Sequence, residues 1–232
     1  MRVSRERFVE SRKRIVEAAA TLFREKGFDG VGLADIMKAA GLTHGGFYGH
    51  FGSKEDLEAQ ALSLAMARWL TNWSQLVDSA AGRPLSALAG QYLSPDHREN
   101  RGEGCPAAAL GADTAREGER VRSAFTAGLE PSLALLSNAI PGRSKAERRR
   151  KAIATLSEMV GAMILARAVN DPALSDEILA ATLLNLTEAS DSSHAAKRAS
   201  AFVNGRHRHA GAAGGAAGAA TVRAQSSNSS LG

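Results

Sequence analysis

Between Ser11 and Lys26, apolar residues recur at Ile15, Ala18, Ala19, Leu22 and Phe23, the spacing of one helical face. Gly27 stops that run where a left-handed residue closes a helix, with Phe28 placed to fold back on Phe23. The same grammar repeats at once. Leu33, Ile36, Met37 and Ala40 give a short second helix, Gly41 ends it, and Leu42 is placed to return to Met37. Thr43 suits the cap of a third short helix reaching about Phe51, and Ser53, with Asp56 three residues on, opens a fourth. Two short helices about a Gly-Leu-Thr-His turn have the spacing of a helix-turn-helix, whose second helix enters the major groove of DNA.

The fourth helix is expected to run from Lys54 to about Ala80 and is apolar on more than one face (Leu57, Ala61, Leu64, Met66, Trp69, Leu70, Trp73), so it is buried on several sides. Gly82 and Pro84 break the chain before a weaker helix over Leu85 to Leu93. Ser94 to Gly104, rich in Pro, Asp, Asn and Gly, reads as a loop. Further helices are expected over Pro106 to Arg116, Glu117 to Ile140 with a kink near Pro131, Ser144 to Asn170, and Pro172 to Ala189. The fold class is therefore all-α. After Ser190 the chain turns to Gly, Ala, Ser, Arg and His, which cannot build a core. The predicted organisation is residues 1–53 as a three-helix DNA-binding domain, 54–190 as a larger helical ligand-binding and dimerisation domain, and 191–232 as a disordered tail.

Composition agrees with helices: of the 232 residues 44% are hydrophobic but only 5% aromatic. No run approaches the ~18 apolar residues a membrane span needs, and the polar stretch Met1 to Lys13 has no signal-peptide core, so a cytoplasmic protein without a membrane partner is expected. Charge is uneven. Residues 1–54 hold 10 basic and 6 acidic side chains (+4), residues 55–190 hold 14 and 17 (−3), and residues 191–232 hold 5 and 1 (+4). A polyanion would thus be met at the ends. The arm Arg2, Arg5, Arg7, Arg12, Lys13 and Arg14 suits a minor groove or backbone phosphates, or is simply solvated, and Arg206-His-Arg-His209 in the tail specifies no sequence.

The run from Leu33 to Leu57, with Gly45-x-x-Tyr48-x-x-Phe51-x-Ser53-Lys54-x-x-Leu57 as its most specific part, resembles the DNA-binding domain of the TetR family of repressors. Gly104-Cys105-Pro106 is similar to a stretch in one large subgroup. The resemblance implies a homodimeric regulator that binds double-stranded operator DNA and is released by a small-molecule effector. It also implies that Tyr48 and Lys54 grip phosphates, the lysine at a helix start where backbone N–H groups assist. Thr43, His44 and Gly45 at the start of the reading helix, and His50 at its end, complete the expected DNA-binding set. Phe47, Phe51, Ile36 and Leu57 are assigned to the core. Gly32, Gly46 and Gly49 depart from the family pattern. Interior glycines cost about 1 kcal/mol each relative to alanine, so the reading helix depends on its surroundings.

Beyond Leu57 the resemblance implies an effector pocket, for which Met66, Trp69, Trp73, Cys105, Phe125 and Met163 are candidates, and a dimer bundle of the last two helices. Stripes of Ile153, Leu156, Val160 and Ile164, and of Ile178, Leu179, Leu183 and Leu186, are candidates for that seam. Cys105 precedes Pro106, the favoured first helical residue. A cysteine at such an N-cap, near Arg101, is expected to have a lowered pKa and to be a candidate sensor of electrophiles or oxidants. The histidines are scattered among the head (His44, His50), a loop (His97) and the tail (His194, His207, His209), with no catalytic triad and no metal spacing. Neither an enzyme nor a metal or cofactor site is expected.

Overall fold

The structure, a computed structural model, describes residues 5–188, all of whose regular elements are helices. Arg2 of the basic arm and the tail from residue 191 lie outside the described residues. Helix α1 spans Arg5–Lys26 and begins two turns earlier than its apolar face suggests. It closes as expected: Gly27 has φ +79°, its N–H donates to the Phe23 carbonyl at 2.8 Å, and the Phe28 ring meets Phe23 edge-on at 5.2 Å. Helix α2 (Leu33–Ala39) ends in a Schellman closure, with Gly41 at φ +69° and the Leu42 N–H on the Met37 carbonyl at 2.8 Å. As anticipated, Gly32 supplies no side-chain cap.

The third helix differs from its prediction. In place of one helix over Thr43 to Phe51 there is a 3-10 turn at His44–Gly46 followed by a single α-turn, α3, at Phe47–His50. Thr43 is extended and makes no side-chain cap. Gly45 and Gly46 lower the gain from each added α-helical bond, and the tighter i→i+3 bond from Gly46 N–H to the Thr43 carbonyl forms instead (3.1 Å).

Helix α4 (Lys54–Ser79) starts on its predicted cap, the Ser53 hydroxyl accepting the Asp56 N–H at 3.1 Å, and extends about 39 Å. It crosses α8 (Glu119–Ala139) so closely that a Cβ at Gly128 would lie 2.5 Å from that of Met66. Pro131 lies inside α8, which continues to Ala139 as one helix. Helix α5 is Pro84–Tyr92 and α7 is Pro106–Thr114. Helix α9 (Lys145–Ala168) opens on Ser144, whose hydroxyl accepts the Glu147 N–H. Residues 172–188 form α10, docked on α9 by the Ser175 hydroxyl donating to the Ala166 carbonyl at 2.6 Å.

The segment predicted as a loop is folded: Pro95–Glu99 forms α6 and Arg101–Glu103 a 3-10 turn. Ser94 caps α6 through the His97 N–H and Pro95 occupies its first turn, a start signal that the loop-like composition obscured. Gly102 presses on α1, since a Cβ there would lie 2.7 Å from Glu25 and 2.9 Å from Thr21.

The two candidate dimer stripes divide. Leu156, Leu179 and Leu186 are buried within the chain's own body, and Val160, Ile178 and Leu183 are half-buried. Ile153 and Ile164 are over 40% exposed. Apolar spacing alone does not distinguish a face turned to its own body from one turned outward. Leu165, Leu174 and Leu184 extend the outward apolar surface of α9 and α10.

Candidate nucleic-acid interface

The head is organised around Phe47, Phe51, Ile36 and Leu57, all buried as expected, with the Phe47 and Phe51 rings stacked at 5.5 Å. With these apolar side chains inward, the opposite face of the turn and of α3 stands in solvent. Thr43, His44 and Gly45 are exposed, and Tyr48 is 73% exposed, its ring edge-on to Phe47. Nothing lies within 4 Å of where a Cβ would stand at Gly45 or Gly49. The fold itself therefore does not require glycine at either position, and the bare backbone there is open to an incoming molecule.

Arginines of α1 hold this short element in place. Arg14 donates to the Ala40 carbonyl, at the end of α2. Arg12 donates to the His50 carbonyl at the end of α3, reaches Gln60 Oε1 on α4 at 2.9 Å, and lies over the Phe51 ring at 4.3 Å. The last carbonyls of a helix have no intrahelical donor and carry the negative end of its dipole, so guanidinium groups there stabilise both ends. Arg12 and Arg14 are thus clamps of the reading element rather than a loose arm. Sequence reasoning missed this because their partners lie 26 and 38 residues away.

Two members of the expected DNA-contacting set have internal ties. The Lys54 ammonium donates to the Phe28 carbonyl at 2.7 Å and pairs with Glu58 at 3.4 Å, its side chain 33% exposed. Burial raises the Glu58 pKa, and Lys54 opposes that rise. The His50 ring stacks on Phe8 at 4.5 Å, its Nδ1 is buried, and burial, with Arg12 beside it, lowers its pKa. Two positions apart on a helix of about 3.6 residues per turn, His50 and Tyr48 point to opposite sides, so His50 faces α1 and Tyr48 faces out.

The head joins the body through several polar links. Arg24, 4% exposed, donates from α1 to the Gly104 carbonyl at 3.2 Å, and burial lowers its pKa. The Phe28 N–H donates to Asp113 at 3.3 Å, and Arg120 pairs with Asp56 at 3.0 Å. Next to Gly104, the Cys105 N–H donates to His97 Nε2 at 2.9 Å. His97 Nδ1 therefore carries the ring proton and donates it to the Tyr92 carbonyl at 2.6 Å. Burial pushes the His97 pKa down to about 4. Sequence reasoning left this histidine in a loop, yet it anchors the body.

Around His97 the rings of Trp69, Trp73 and Tyr92 pack at centroid distances of 4.6 to 6.0 Å. Of the effector-pocket candidates, Met66, Trp69, Trp73, Cys105 and Met163 are at most 5% exposed, and Phe125 is half-buried at the edge. In this conformation they form core, and three open cavities on the described residues have other linings. Trp73 Nε1 is buried there without a hydrogen-bond partner among the described residues, whereas the Tyr92 hydroxyl has the Cys105 thiol beside it. Cys105 does occupy the N-cap of α7, but it is 2% exposed, and burial raises its thiol pKa. The expectation of a lowered Cys105 pKa is overturned: desolvation outweighs the favourable helix end.

Among the described residues no cluster of three or more potential ligand side chains could hold a metal, and no helix is long and apolar enough to cross a membrane.

The sequence profile described as "Bacterial regulatory proteins, tetR family" matches residues 15–61, the element just described. The repressor NemR of Escherichia coli (strain K12) is 28% identical over 134 residues, covering 56% of this chain and 67% of NemR. The repressor KstR2 of Mycobacterium tuberculosis is 33% identical over 87 residues, 37% of this chain and 43% of KstR2, so the match spans less than half of that relative. The crystal structure of reduced E. coli NemR superposes with a TM-score of 0.64 at 24% identity, covering 77% of this chain and 95% of NemR. That of Bacillus subtilis FadR in complex with stearoyl-CoA gives 0.53 at 16% identity, covering 74% and 97%. The clamped helix-turn-helix, the profile match over residues 15–61 and the shared all-helical architecture lead to one conclusion: this chain is similar to the TetR family of DNA-binding transcriptional regulators.

Proposed function

We propose that the protein is a cytoplasmic repressor that binds a two-fold operator as a homodimer and leaves it when a small molecule enters the body. The observation that carries this reading is the exposed Thr43-His44-Gly45-Tyr48 face, fastened by Arg12 and Arg14 and continuous with the body through Arg24 and Lys54. Tyr48 and Lys54 hold phosphates while Thr43, His44 and Gly45 approach base edges; His50 contributes by packing. Two copies joined along the exposed apolar faces of α9 and α10 place their reading elements in successive major grooves, about 34 Å apart.

The effector site in this proposal is the core of Met66, Trp69, Trp73, Cys105, Phe125 and Met163. The buried, unpartnered Trp73 N–H supports it, because an orphaned donor costs about 1–3 kcal/mol unless an acceptor reaches it. An apolar molecule carrying an acceptor would satisfy it only by parting α4 from its neighbours. Since α4 begins at Lys54 and the Gly104 carbonyl holds Arg24 of α1, that displacement tilts the heads and spoils their spacing.

The test is fluorescence anisotropy on DNA flanking the protein's own coding region, at stated salt. Binding roughly a thousandfold tighter than to unrelated DNA, released by a small molecule, is expected. Equal affinity for unrelated DNA would indicate an architectural binder and overturn the proposal. Inter-head distances measured by paired spin labels should change with effector, and identical distances with lost DNA binding would remove the tilting mechanism.

A further inference from the structure

The net charge of residues 55–190 conceals a local excess of the opposite sign: Arg143, Lys145, Arg148, Arg149, Arg150 and Lys151 are six cations within nine residues. Two of them are neutralised within the fold. Arg149 donates to both carboxylate oxygens of Glu130 on α8, at 2.7 and 2.8 Å, and Lys151 pairs with Glu147 at 3.0 Å. Lys145 and Arg148 have no ion-pair partner among the described residues.

These two cations border an open groove of about 840 Å³ between the second half of α8 and the first turns of α9. That volume lies within the range of small-molecule sites. Ala134 on α8 and Ala146 on α9 both line it, and most of the wall surface is carbon. Its other polar groups are the Glu130 carboxylate, which Arg149 neutralises, the Asn138 amide, and Ser137, whose hydroxyl proton is already given to the Leu133 carbonyl at 2.7 Å. Donors available to an incoming group are therefore Lys145, Arg148 and Asn138. A neutral apolar molecule would bury their charge without a partner, and a bare inorganic anion would leave the carbon wall wet. A carboxylate on a compact hydrocarbon body suits both.

We infer that the α8–α9 groove is a binding site for a small amphiphilic carboxylate, held by Lys145 and Arg148. The site shares no residue with the aromatic core around Trp69 and does not depend on the operator reading.

Isothermal titration calorimetry on the full chain tests it, with octanoate as the probe and octan-1-ol and inorganic phosphate as controls. Saturable binding of one octanoate per chain is expected, roughly tenfold or more weaker in a Lys145→Gln/Arg148→Gln double variant and largely kept in Arg148→Lys. Helical circular dichroism checks the variants, and Lys145→Gln alone, at an exposed position, serves if the double variant does not fold. No saturation, undiminished octanoate binding in the charge-removed variants, or equal binding of octan-1-ol or phosphate would each overturn the inference.

Discussion

Replacing Arg12 by methionine separates two roles that a basic residue near a DNA-binding element can play. Methionine keeps an apolar stem for the Phe51 ring but removes the donors to the His50 carbonyl and Gln60. A charge-assisted hydrogen bond is worth about 1.5–3 kcal/mol, and its half-buried setting favours the lower end. The cation–π contact adds about 0.5 kcal/mol. The expected loss is therefore about 2 kcal/mol, or roughly 4–8 °C in Tm for a body of this size. Differential scanning calorimetry measures the loss, and operator titrations across a salt series measure the second role. A clamp predicts weaker operator binding with an unchanged salt slope. An unchanged Tm with a slope smaller by about 0.9 would make Arg12 a phosphate contact and refute the clamp.

Tyr48→Phe should weaken binding to all sequences by about 1 kcal/mol without altering stability or salt slope, because a neutral hydroxyl releases no counterion. Lys54→Ala should lower the salt slope by about 0.9 and also lower Tm through the lost Phe28 and Glu58 ties, so a Tm equal to wild type would show that those ties carry no stability. The His97 pKa is lowered from about 6.5 unfolded to about 4 in the fold. The unfolded chain thus binds the extra proton first, and stability complete above pH 6.5 is lost as pH falls toward 4. Urea titrations should show about 2 kcal/mol lost by pH 5, a loss absent in His97→Asn. Cys105 should react with iodoacetamide at neutral pH only as the body unfolds; rapid labelling of native protein would contradict its burial.

The features legible in the sequence were those written by neighbours in the chain. Gly27 and Gly41, with Phe28 and Leu42 behind them, stated where α1 and α2 end, and Ser53 and Ser144 stated where α4 and α9 begin, because caps and closures are local chemistry. The reading element was legible as a place but not as a shape, since the sum of several weak glycine effects decides between 3-10 and α-turns. The Arg12 and Arg14 clamps, the Arg24 link and the locked tautomer of His97 were not legible. Each is a contact between elements distant in sequence, or depends on burial that no spacing reports. Composition misled at Ser94 to Gly104, where residues typical of loops instead spell a capped helix and a turn.

The Gly102 contact has a bearing on how such a protein can be re-engineered. Exchanging reading heads between relatives assumes a module that detaches near residue 53, but here α1 rests on a surface supplied fifty residues later, at Gly102 and Gly104. A transplanted head with a larger residue opposite Gly102, or with no arginine at position 24, would meet a seam of the wrong shape. The unit of exchange is therefore the head together with residues 94–104, and a chimera that carries both should keep its Tm where a cut at residue 53 loses it.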